Sequence, residues 1–353
     1  MKTYEEINEK IKTGKAVVLT AEEVVAMGRK KTAAQVARTV DVVTTGTFGP
    51  MCSSGMFLNV GHTQPPTRME KISLNGVPVH AGIASVDMYV GATAVHPRNP
   101  SYGGAHVIES LIAGEEVMLE ASGKGTDCYP RKEVHAKIHR DTVNEMTLFN
   151  PRNAYQNYPV AVNNSSRIKY TYMGPLLPRL GNANFSTSGE LSPLLNDPWL
   201  RTIGIGTRIF LGGTTGFVSW HGTRFKTRVP RSEHGVPLTN AATLAVIGDA
   251  KGMHPDFIRA AYFEKYGVSI FVGIGIPIPV LDEEMARCLM LGNDQLRTTV
   301  VDYGHEEKPT LGEVSYAELF AGEIEIGQKK IKTASMSSLY KARIIAGMLK
   351  EQI

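Results

Sequence analysis

The spacing of apolar and polar residues predicts short helices and strands from the start of the chain. Thr20-Ala-Glu-Glu has the form of a capping box, in which Thr20 caps a helix and Glu23 reaches back to it, and this predicts a helix over residues 21–29. Residues 40–45 are β-branched and apolar, which is typical of a buried strand. That strand leads into a glycine- and proline-rich turn that carries Cys52.

Two glycine-containing turns predict β-hairpins. Asn75-Gly76 lies between the apolar runs of residues 72–80, and Gly212-Gly213 lies between those of residues 207–220. Turns of this kind accept the positive φ angles that a tight reversal requires, so they mark where each pair of strands turns back.

A helix and then a strand lead into the second cysteine segment. Apolar spacing predicts a helix over residues 105–113 and a strand over 117–121, and a glycine-rich loop follows over 122–127. Cys128 comes directly after this loop, so it has the same kind of position as Cys52. Loops at strand ends commonly carry functional side chains.

The C-terminal half alternates between strand and helix patterns. The predicted elements are strands over 242–248, 268–273 and 297–301, helices over 255–266 and 282–291, and an amphipathic helix over 337–350. Alternation of this kind favours parallel βαβ units.

The loop-rich middle of the chain is the place where a boundary between two domains could lie. Residues 150–198 are dense in Asn, Pro, Ser and Gly, but they also contain several tyrosines, which favour ordered loops over the active face rather than a linker. We therefore expect an α/β fold with a mixed α+β N-terminal half and a βαβ-rich C-terminal half. One large catalytic domain would span residues 1–353, and any subdivision would fall at 150–200.

Composition and charge exclude several classes of protein. Of the 353 residues, 42% are hydrophobic and 20% are charged, as in ordinary soluble globular proteins. The net charge of +4 comes without a basic run or a basic–aromatic array, so we expect no nucleic-acid partner. The N-terminus has no apolar core segment, and no apolar stretch reaches the ~18 residues of a membrane span. We therefore expect a cytoplasmic protein with no membrane contact.

The candidate chemistry is that of the cysteines, of which the chain has three. A reducing compartment argues against a disulfide framework. Cys52 has small polar neighbours, and Cys128 lies near Arg131, Lys132 and His135, whose positive charge favours a thiolate. We predict that Cys52 and Cys128 work as a pair. One thiol carries a persulfide, and the other resolves it to a disulfide that an external reductant reopens.

Cationic side chains are the candidate ligands for a substrate. Arg131 is suited to bidentate recognition of a carboxylate. His221 and Arg224 lie in Trp220-His221-Gly222-Thr223-Arg224, which is a second candidate wall of the substrate site. The alternative for each of these residues is an exposed, solvated position.

Nucleotide and metal motifs are absent from the sequence. It contains no Gly-x-x-x-x-Gly-Lys-Ser/Thr, no complete Gly-x-Gly-x-x-Gly and no His-Glu-x-x-His or Cys-x-x-Cys pattern, so we expect no metal and no bound cofactor. The alternative is an iron–sulfur cluster held by Cys52, Cys128 and Cys288. Cys288 has apolar spacing on a predicted helix, which favours a buried core thiol instead.

Four segments together resemble the homocysteine biosynthesis family of anaerobic archaea and bacteria. They are Phe-Gly-Pro-Met-Cys-Ser-Ser-Gly around Cys52, Gly-Thr-Asp-Cys-Tyr-Pro-Arg around Cys128, Gly-Gly-Thr-Thr-Gly-Phe-Val-Ser-Trp-His-Gly-Thr, and Gly-Val-Ser-Ile-Phe-Val-Gly-Ile-Gly-Ile-Pro-Ile-Pro-Val-Leu. The resemblance covers nearly the whole chain. It implies an L-aspartate semialdehyde sulfurtransferase that makes homocysteine, for methionine biosynthesis, from L-aspartate semialdehyde and sulfide or a sulfane sulfur donor.

The resemblance also implies roles and partners. Cys128 matches the family's persulfide-bearing cysteine, and Cys52 matches its other important cysteine. Many archaeal members continue into a pair of CBS domains, for which a chain ending at Ile353 has no room. The family's reductant is a small ferredoxin-like protein on a separate chain. Whether the chain forms a homo-oligomer stays open.

The expected reaction needs electrons from outside the chain. Converting an aldehyde and sulfide into a saturated thiol takes two electrons, and the sequence has no flavin or nicotinamide motif to supply them. We expect the terminal sulfur on Cys128 to attack the aldehyde carbon and Cys52 to attack the resulting mixed disulfide. Arg131 or His221 would stabilise the alkoxide. A non-enzymatic sulfur-relay protein is the remaining alternative.

Overall fold

Short helices lie between many strands in this protein. The computed structural model describes residues 1–153, 155–222, 226 and 228–353. With 21% helix and 37% strand, it confirms the mixed α/β class. The helices are α1 (Tyr4–Lys12), α2 (Ala21–Gly28), α3 (Ala33–Thr39), α4 (Gly104–Ala113), α5 (Pro193–Asn196), α6 (Glu283–Leu289), α7 (Tyr316–Ala321) and α8 (Leu339–Gln352).

The strands are mostly three to six residues long. They are β1 (Val18–Thr20), β2 (Val42–Thr44), β3 (Thr47–Pro50), β4 (Gly55–Asn59), β5 (Lys71–Leu74), β6 (Val77–Val79), β7 (Asp87–Gly91), β8 (Val95–His96), β9 (Asn99–Gly103), β10 (Val117–Ser122), β11 (Glu133–Ile138), β12 (Glu145–Asn153), β13 (Val160–Val162), β14 (Lys169–Thr171), β15 (Gly174–Leu176), β16 (Ala183–Phe185), β17 (Arg208–Leu211), β18 (Thr214–Trp220), β19 (Leu244–Asp249), β20 (Ile258–Phe263), β21 (Gly267–Gly275), β22 (Pro277–Pro279), β23 (Arg297–Asp302), β24 (Thr310–Ser315), β25 (Glu323–Ile326) and β26 (Lys329–Ser335).

One nine-stranded sheet holds the Cys52 segment in place. Its strands follow the order β20-β21-β17-β18-β19-β12-β4-β7, and β3 pairs with β21 beside this path. The Cys52 turn joins β3 to β4. Pro50 at the end of β3 pairs with Phe271, and Gly55 at the start of β4 pairs with Phe149. The turn is therefore fixed at both ends to the same sheet.

Different elements cover the two faces of this sheet. Because side chains alternate along a strand, Ile209 and Leu211 of β17 join the core on one face while Phe210 points to the other. The first face packs against α4, and the second packs against Ile345 of α8. Helix α4 lies very close to the sheet, since a Cβ on Gly104 would lie 1.9 Å from the Gly91 carbonyl oxygen.

A six-stranded sheet supplies another wall of the candidate site. Its order is β24-β23-β13-β16-β26-β25, and β16 runs parallel to β26. Parallel neighbours end at the same edge of a sheet. The residues just beyond these two strands therefore meet, and the Ser186 and Ser337 hydroxyl oxygens lie 3.0 Å apart.

Most of the predicted elements form where the sequence places them. Thr20 and Glu23 make both hydrogen bonds of a capping box at the start of α2. Asn75 and Gly76 have φ angles of 47° and 77° and connect β5 to β6. The second predicted hairpin is the antiparallel pair of β17 and β18.

The helix predicted over residues 255–266 is wrong, and so is the parallel βαβ arrangement around it. A short 3₁₀ turn at Pro255–Phe257 leads into β20, which is antiparallel to β21. Strand β19 is also antiparallel to both of its neighbours. Strand β20 lies at the edge of the sheet, and its outer side contacts α4. There the Ala260 N–H donates a hydrogen bond to the Glu109 carboxylate at 3.0 Å. Pairing with β21 thus outweighed the helical spacing.

Within the described ranges, no helix combines the length and apolarity needed to cross a lipid bilayer.

Candidate active site

A cavity of about 220 Å³ opens beside Cys52. It lies between the β3–β4 turn, the end of β12, and the segments that follow β16 and β26. Its lining combines the Cys52 thiol with one arginine, three tyrosines and several Ser and Thr hydroxyls. A thiol, a cation and hydroxyl groups around a small cavity are a suitable set for binding a small polar substrate.

Backbone hydrogen bonds and one buried side chain shape the Cys52 turn. The Met51 N–H donates to the Ile270 carbonyl at 2.7 Å, and the Ser54 N–H donates to the Met51 carbonyl at 3.0 Å. The side chain of buried Asn150 donates to the Ser54 hydroxyl at 2.7 Å. Cys52 itself is half-buried, so its sulfur borders the cavity and stays accessible.

Tyr266 is the hydrogen-bond donor to the Cys52 sulfur. Its hydroxyl lies 3.8 Å from Cys52 Sγ and comes from the tight turn between β20 and β21. Lys265 and Gly267, with φ angles of 55° and 119°, make that turn possible. Burial and the nearby Cys52 charge raise the pKa of Tyr266. The phenol therefore keeps its proton at neutral pH and can donate to a thiolate.

A β-bulge directs Arg152 into the cavity. The pairing of β12 with β19 shifts register between Asn150 and Asn153, so one extra residue is inserted there. The Asn150 side-chain oxygen accepts the Arg152 N–H at 2.7 Å. Because Asn150 also holds Ser54, a single buried amide connects the Cys52 turn to the Arg152 backbone.

Ser and Thr hydroxyl groups form another part of the cavity lining, the hydroxyl wall. Besides the Ser186–Ser337 contact, the Thr187 and Ser192 hydroxyl oxygens lie 3.0 Å apart. Gly49 is needed at this wall, since a Cβ there would lie 2.6 Å from the Ser337 hydroxyl oxygen.

Tyrosine rings form the remaining wall. The ring centroids of Tyr155 and Tyr158 are 4.7 Å apart, and those of Tyr158 and Tyr172 are 5.6 Å apart, both in edge-to-face arrangements. Tyr172 in turn lies 6.1 Å from Tyr266. Burial raises the pKa of Tyr172, so its phenol keeps its proton at neutral pH. Residues 150–198 thus contain ordered segments that border the cavity.

The structure does not bring Cys128 to this cavity. Cys128 is exposed, in the loop between β10 and β11. The ring of the next residue, Tyr129, stacks on the His62 ring at a centroid distance of 6.4 Å. His62 follows the end of β4. Cys52 instead lies just before the start of β4, and Cys128 is not among the residues that line its cavity. The predicted working pair therefore stays a prediction.

Arg131 lies with Cys128 rather than with Cys52. Its guanidinium donates to the Gln64 carbonyl at 2.5 Å, and its own carbonyl accepts the Thr67 hydroxyl at 3.0 Å. These bonds place Arg131 at the base of the Cys128 loop, outside the lining of the Cys52 cavity.

Of the predicted wall at 220–224, the structure describes residues 220–222, and none of these three lines the cavity. Trp220 packs on Phe149 at a ring distance of 5.1 Å and is 41% exposed. His221 is exposed. A Cβ on Gly222 would lie 3.1 Å from the Pro151 carbonyl oxygen, so Gly222 packs against the backbone next to Arg152. Arg224 lies outside the described residues.

Cys288 is in a third location. It lies on α6 with its sulfur 4.0 Å from the His234 carbonyl oxygen, and burial raises its pKa to about 11. The three cysteines are therefore not assembled as cluster ligands in this structure. Across the described part of the chain, no group of three or more His, Cys, Asp or Glu side chains is placed to hold a metal ion.

Sequence reasoning missed Asn150, Arg152 and Tyr266. Asn150-Pro-Arg152 lies at the start of a segment rich in turn-forming residues, which is the one signal that pointed toward this region. Tyr266 contacts Cys52 across 214 residues of chain, and only the folded sheet reveals that contact.

Comparisons with known proteins place the chain in a family. Residues 16–353 match the model of a family described as "Homocysteine biosynthesis enzyme, sulfur-incorporation". No solved structure matches the chain.

Curated relatives agree with this match. The chain is 46% identical to the L-aspartate semialdehyde sulfurtransferase of Methanosarcina acetivorans, over 100% of this chain and 69% of that protein. It is also 46% identical to the enzyme of the same name from Methanocaldococcus jannaschii, over 100% of this chain and 70% of that protein. An uncharacterized protein of Methanothermobacter thermautotrophicus is 28% identical over 90% of this chain and 72% of its own length. The chain therefore belongs to the family of homocysteine biosynthesis enzymes that incorporate sulfur.

Proposed function

We propose that this chain is an L-aspartate semialdehyde sulfurtransferase whose substrate reacts in the cavity at Cys52. The observation that carries the proposal is the half-buried Cys52 thiol, which borders a small polar cavity together with the cation Arg152. The two relatives of that name, each 46% identical over the whole chain, support the substrate.

The two cysteines suit different steps of sulfur transfer. Cys128 is exposed, which suits it to accept sulfur from a donor as a persulfide. Thiol exchange then passes the terminal sulfur to Cys52, leaving Cys128 as a thiol. This order moves the reacting persulfide from Cys128, where the family resemblance puts it, to Cys52, because Cys52 borders the cavity.

Carbon–sulfur bond formation follows at Cys52. The terminal sulfur of its persulfide attacks the aldehyde carbon, and the carbonyl oxygen takes a proton to become a hydroxyl group. Tyr266, the donor to the Cys52 sulfur, is suited to assist that oxygen in place of Arg131 or His221. Cys128 then attacks the Cys52 sulfur, so that a Cys52–Cys128 disulfide forms and the thiohemiacetal leaves.

The electron balance of the reaction shows how many electrons a reductant outside this chain must supply. Loss of water converts the thiohemiacetal to a thioaldehyde, and two electrons and two protons convert the thioaldehyde to homocysteine. When the donor is hydrosulfide, it reopens the enzyme disulfide and regenerates a persulfide, so no further electrons are needed. When the donor is sulfane sulfur, a second electron pair must reduce the disulfide. A small ferredoxin-like protein is the proposed electron source.

Single alanine substitutions of the cysteines test this proposal. The purified chain is assayed anaerobically for homocysteine with L-aspartate semialdehyde, thiosulfate as the sulfane sulfur donor and a chemical reductant that reopens the enzyme disulfide and reduces the thioaldehyde. We expect the wild type and Cys288→Ala to form homocysteine at similar rates, and Cys52→Ala and Cys128→Ala to lose activity. Homocysteine formation would exclude a mere sulfur relay. Full activity of Cys52→Ala would refute the assignment of the cavity.

A further inference from the structure

The cavity at Cys52 has an uneven charge distribution. Arg152 is the one basic side chain among its described lining residues, and no described carboxylate lines it. A cation in a small cavity favours an anionic group on the ligand, and arginine can grip a carboxylate through two parallel hydrogen bonds. The cavity is therefore suited to a ligand that carries a carboxylate.

The positions of Arg152 and Cys52 are coupled. Buried Asn150 donates to Ser54 on the Cys52 turn and accepts the N–H of Arg152. An arginine held in this way can fix one end of a substrate while the other end reaches the sulfur. Positioning of this kind accounts for a large part of many catalytic rate enhancements.

The tyrosine wall offers a place for a positive group. Tyr155 and Tyr158 meet edge to face at 75°, so their rings present faces in two directions. An ammonium group is attracted to the face of an aromatic ring, more strongly where water is excluded. A substrate ammonium group can therefore bind here although no described lining residue is a carboxylate.

We propose that Arg152 binds the α-carboxylate of an amino-acid substrate, that Tyr155 and Tyr158 receive its ammonium group, and that its side-chain carbonyl carbon then faces Cys52. The proposal rests on the proposed function for the identity of the reacting group. It moves carboxylate recognition from Arg131 to Arg152. Arg152 and the two tyrosines decide which aldehyde is accepted, while Cys52 reacts with it.

Protection of Cys52 from alkylation tests the subsite without any turnover. The full chain is treated with iodoacetamide at increasing concentrations of L-homoserine, an analogue with an alcohol in place of the aldehyde, and labelling of the Cys52 peptide is followed by mass spectrometry. We expect L-homoserine to protect the wild type. The concentration for half-protection should rise about tenfold or more in Arg152→Gln, because a charged hydrogen-bonded contact is lost. Arg131→Gln, the matched control beside Cys128, should behave as the wild type.

A second variant and a second analogue test the roles of Arg152 and of the tyrosines separately. Arg152→Lys should restore part of the protection, because it keeps the charge but loses the bidentate contact. In the wild type, 4-hydroxybutanoate, which lacks the ammonium group, should protect about tenfold less well than L-homoserine. Equal protection of wild type and Arg152→Gln, or an effect of Arg131→Gln as large as that of Arg152→Gln, would overturn the proposal. Equal protection by the two analogues would overturn the role of the tyrosines.

The outcome separates this proposal from the proposed function. If L-homoserine protects Cys52 through Arg152 but the enzyme makes no homocysteine, the subsite stands and the reaction is wrong. If homocysteine forms with an unchanged KM for the aldehyde in Arg152→Gln, the reaction stands and the subsite is wrong.

Discussion

At the scale of single residues, the three cysteines differ in their surroundings. Cys52 borders a polar cavity and accepts a hydrogen bond from the Tyr266 hydroxyl, whereas Cys128 is exposed in the loop between β10 and β11. Burial raises the pKa of Cys288 to about 11, so it stays a poorly reactive thiol at neutral pH. Cys288 is nevertheless only half-buried, so the fully buried core position predicted for it is not found. The thiol best placed for chemistry on a bound substrate is thus Cys52.

Replacing Tyr266 by phenylalanine tests the contact at Cys52. Loss of the hydroxyl removes a donor to the thiolate, so alkylation of Cys52 at pH 7 should slow by about fivefold, which corresponds to about 1 kcal/mol for one hydrogen bond. Peptide mass spectrometry during iodoacetamide labelling measures this rate. Tyr262→Phe is the control, because Tyr262 is an exposed tyrosine of the neighbouring strand β20. Equal rates in all three proteins would show that Tyr266 does not assist the sulfur.

The sequence allowed only part of the site to be predicted at this scale. Cysteines flanked by glycine, proline and charged residues stand out in a linear sequence, and the resemblance rests on those flanks. Tyr266 reaches Cys52 through pairing of β3 with β21, and Arg152 reaches the cavity through a bulge. Long-range strand pairing and bulges leave no local sequence signal of comparable strength. Tyr266 and Arg152 could therefore be identified only in the folded structure.

At the scale of elements, tight turns were predictable and edge strands were not. Asn75-Gly76 marks its hairpin because the residues themselves accept positive φ angles. Strand β20 has no such local mark, and its identity comes from pairing with β21 and from the Glu109 contact at its edge. The cavity depends on elements of both kinds. Its hydroxyl wall forms because β16 and β26 run parallel and end together.

A methyl group at Gly49 tests whether this wall matters for activity. Gly49→Ala would place a Cβ 2.6 Å from the Ser337 hydroxyl oxygen, so it should displace that hydroxyl and narrow the cavity. We expect the KM for the aldehyde to rise about tenfold, with a smaller change in kcat. Gly204→Ala is the matched control, because a Cβ there meets no atom within 4 Å. Unchanged kinetics in Gly49→Ala would remove the hydroxyl wall from the substrate site.

At the scale of the whole molecule, the two proposed reactive thiols belong to different sites, because Cys128 is not among the residues that line the Cys52 cavity. Hydrogen bonds tie the Cys128 loop at its base, where the Arg131 N–H donates to the Pro66 carbonyl at 3.2 Å. The proposed cycle needs Cys128 to approach Cys52, both to pass sulfur and to close the disulfide. The loop must move during turnover, or a second copy of the chain must supply Cys128.

The attachment of the N-terminal helix gives a stability prediction at the same scale. The Asp41 side chain is 1% exposed and accepts hydrogen bonds from Lys10 at 2.7 Å and Lys2 at 2.9 Å. Burial acts to raise the pKa of Asp41, but the bonds from Lys10, the Val17 N–H and Lys2 outweigh it and lower that pKa. Stabilisation from this group is therefore present above the unfolded pKa of about 3.9 and is lost as pH falls toward the folded value.

Chemical denaturation at several pH values measures this effect. Between pH 5 and pH 3, the free energy of unfolding of the wild type should fall more steeply than that of Asp41→Asn. Asp127→Asn serves as the control, because Asp127 is exposed. Its free energy of unfolding should change with pH as that of the wild type does. Parallel curves for wild type and Asp41→Asn would show that the Asp41 ion pairs do not contribute.

The central claim is that sulfur reaches the substrate carbon at Cys52 with Cys128 as its redox partner. Peptide mapping after a single turnover tests it most directly: the chain is loaded with a sulfane sulfur donor, excess donor is removed, and L-aspartate semialdehyde is added without reductant. We predict a disulfide-linked peptide pair that contains Cys52 and Cys128, with Cys288 still a thiol. Transfer of sulfur to the substrate while Cys52 and Cys128 both remain free thiols would contradict the account.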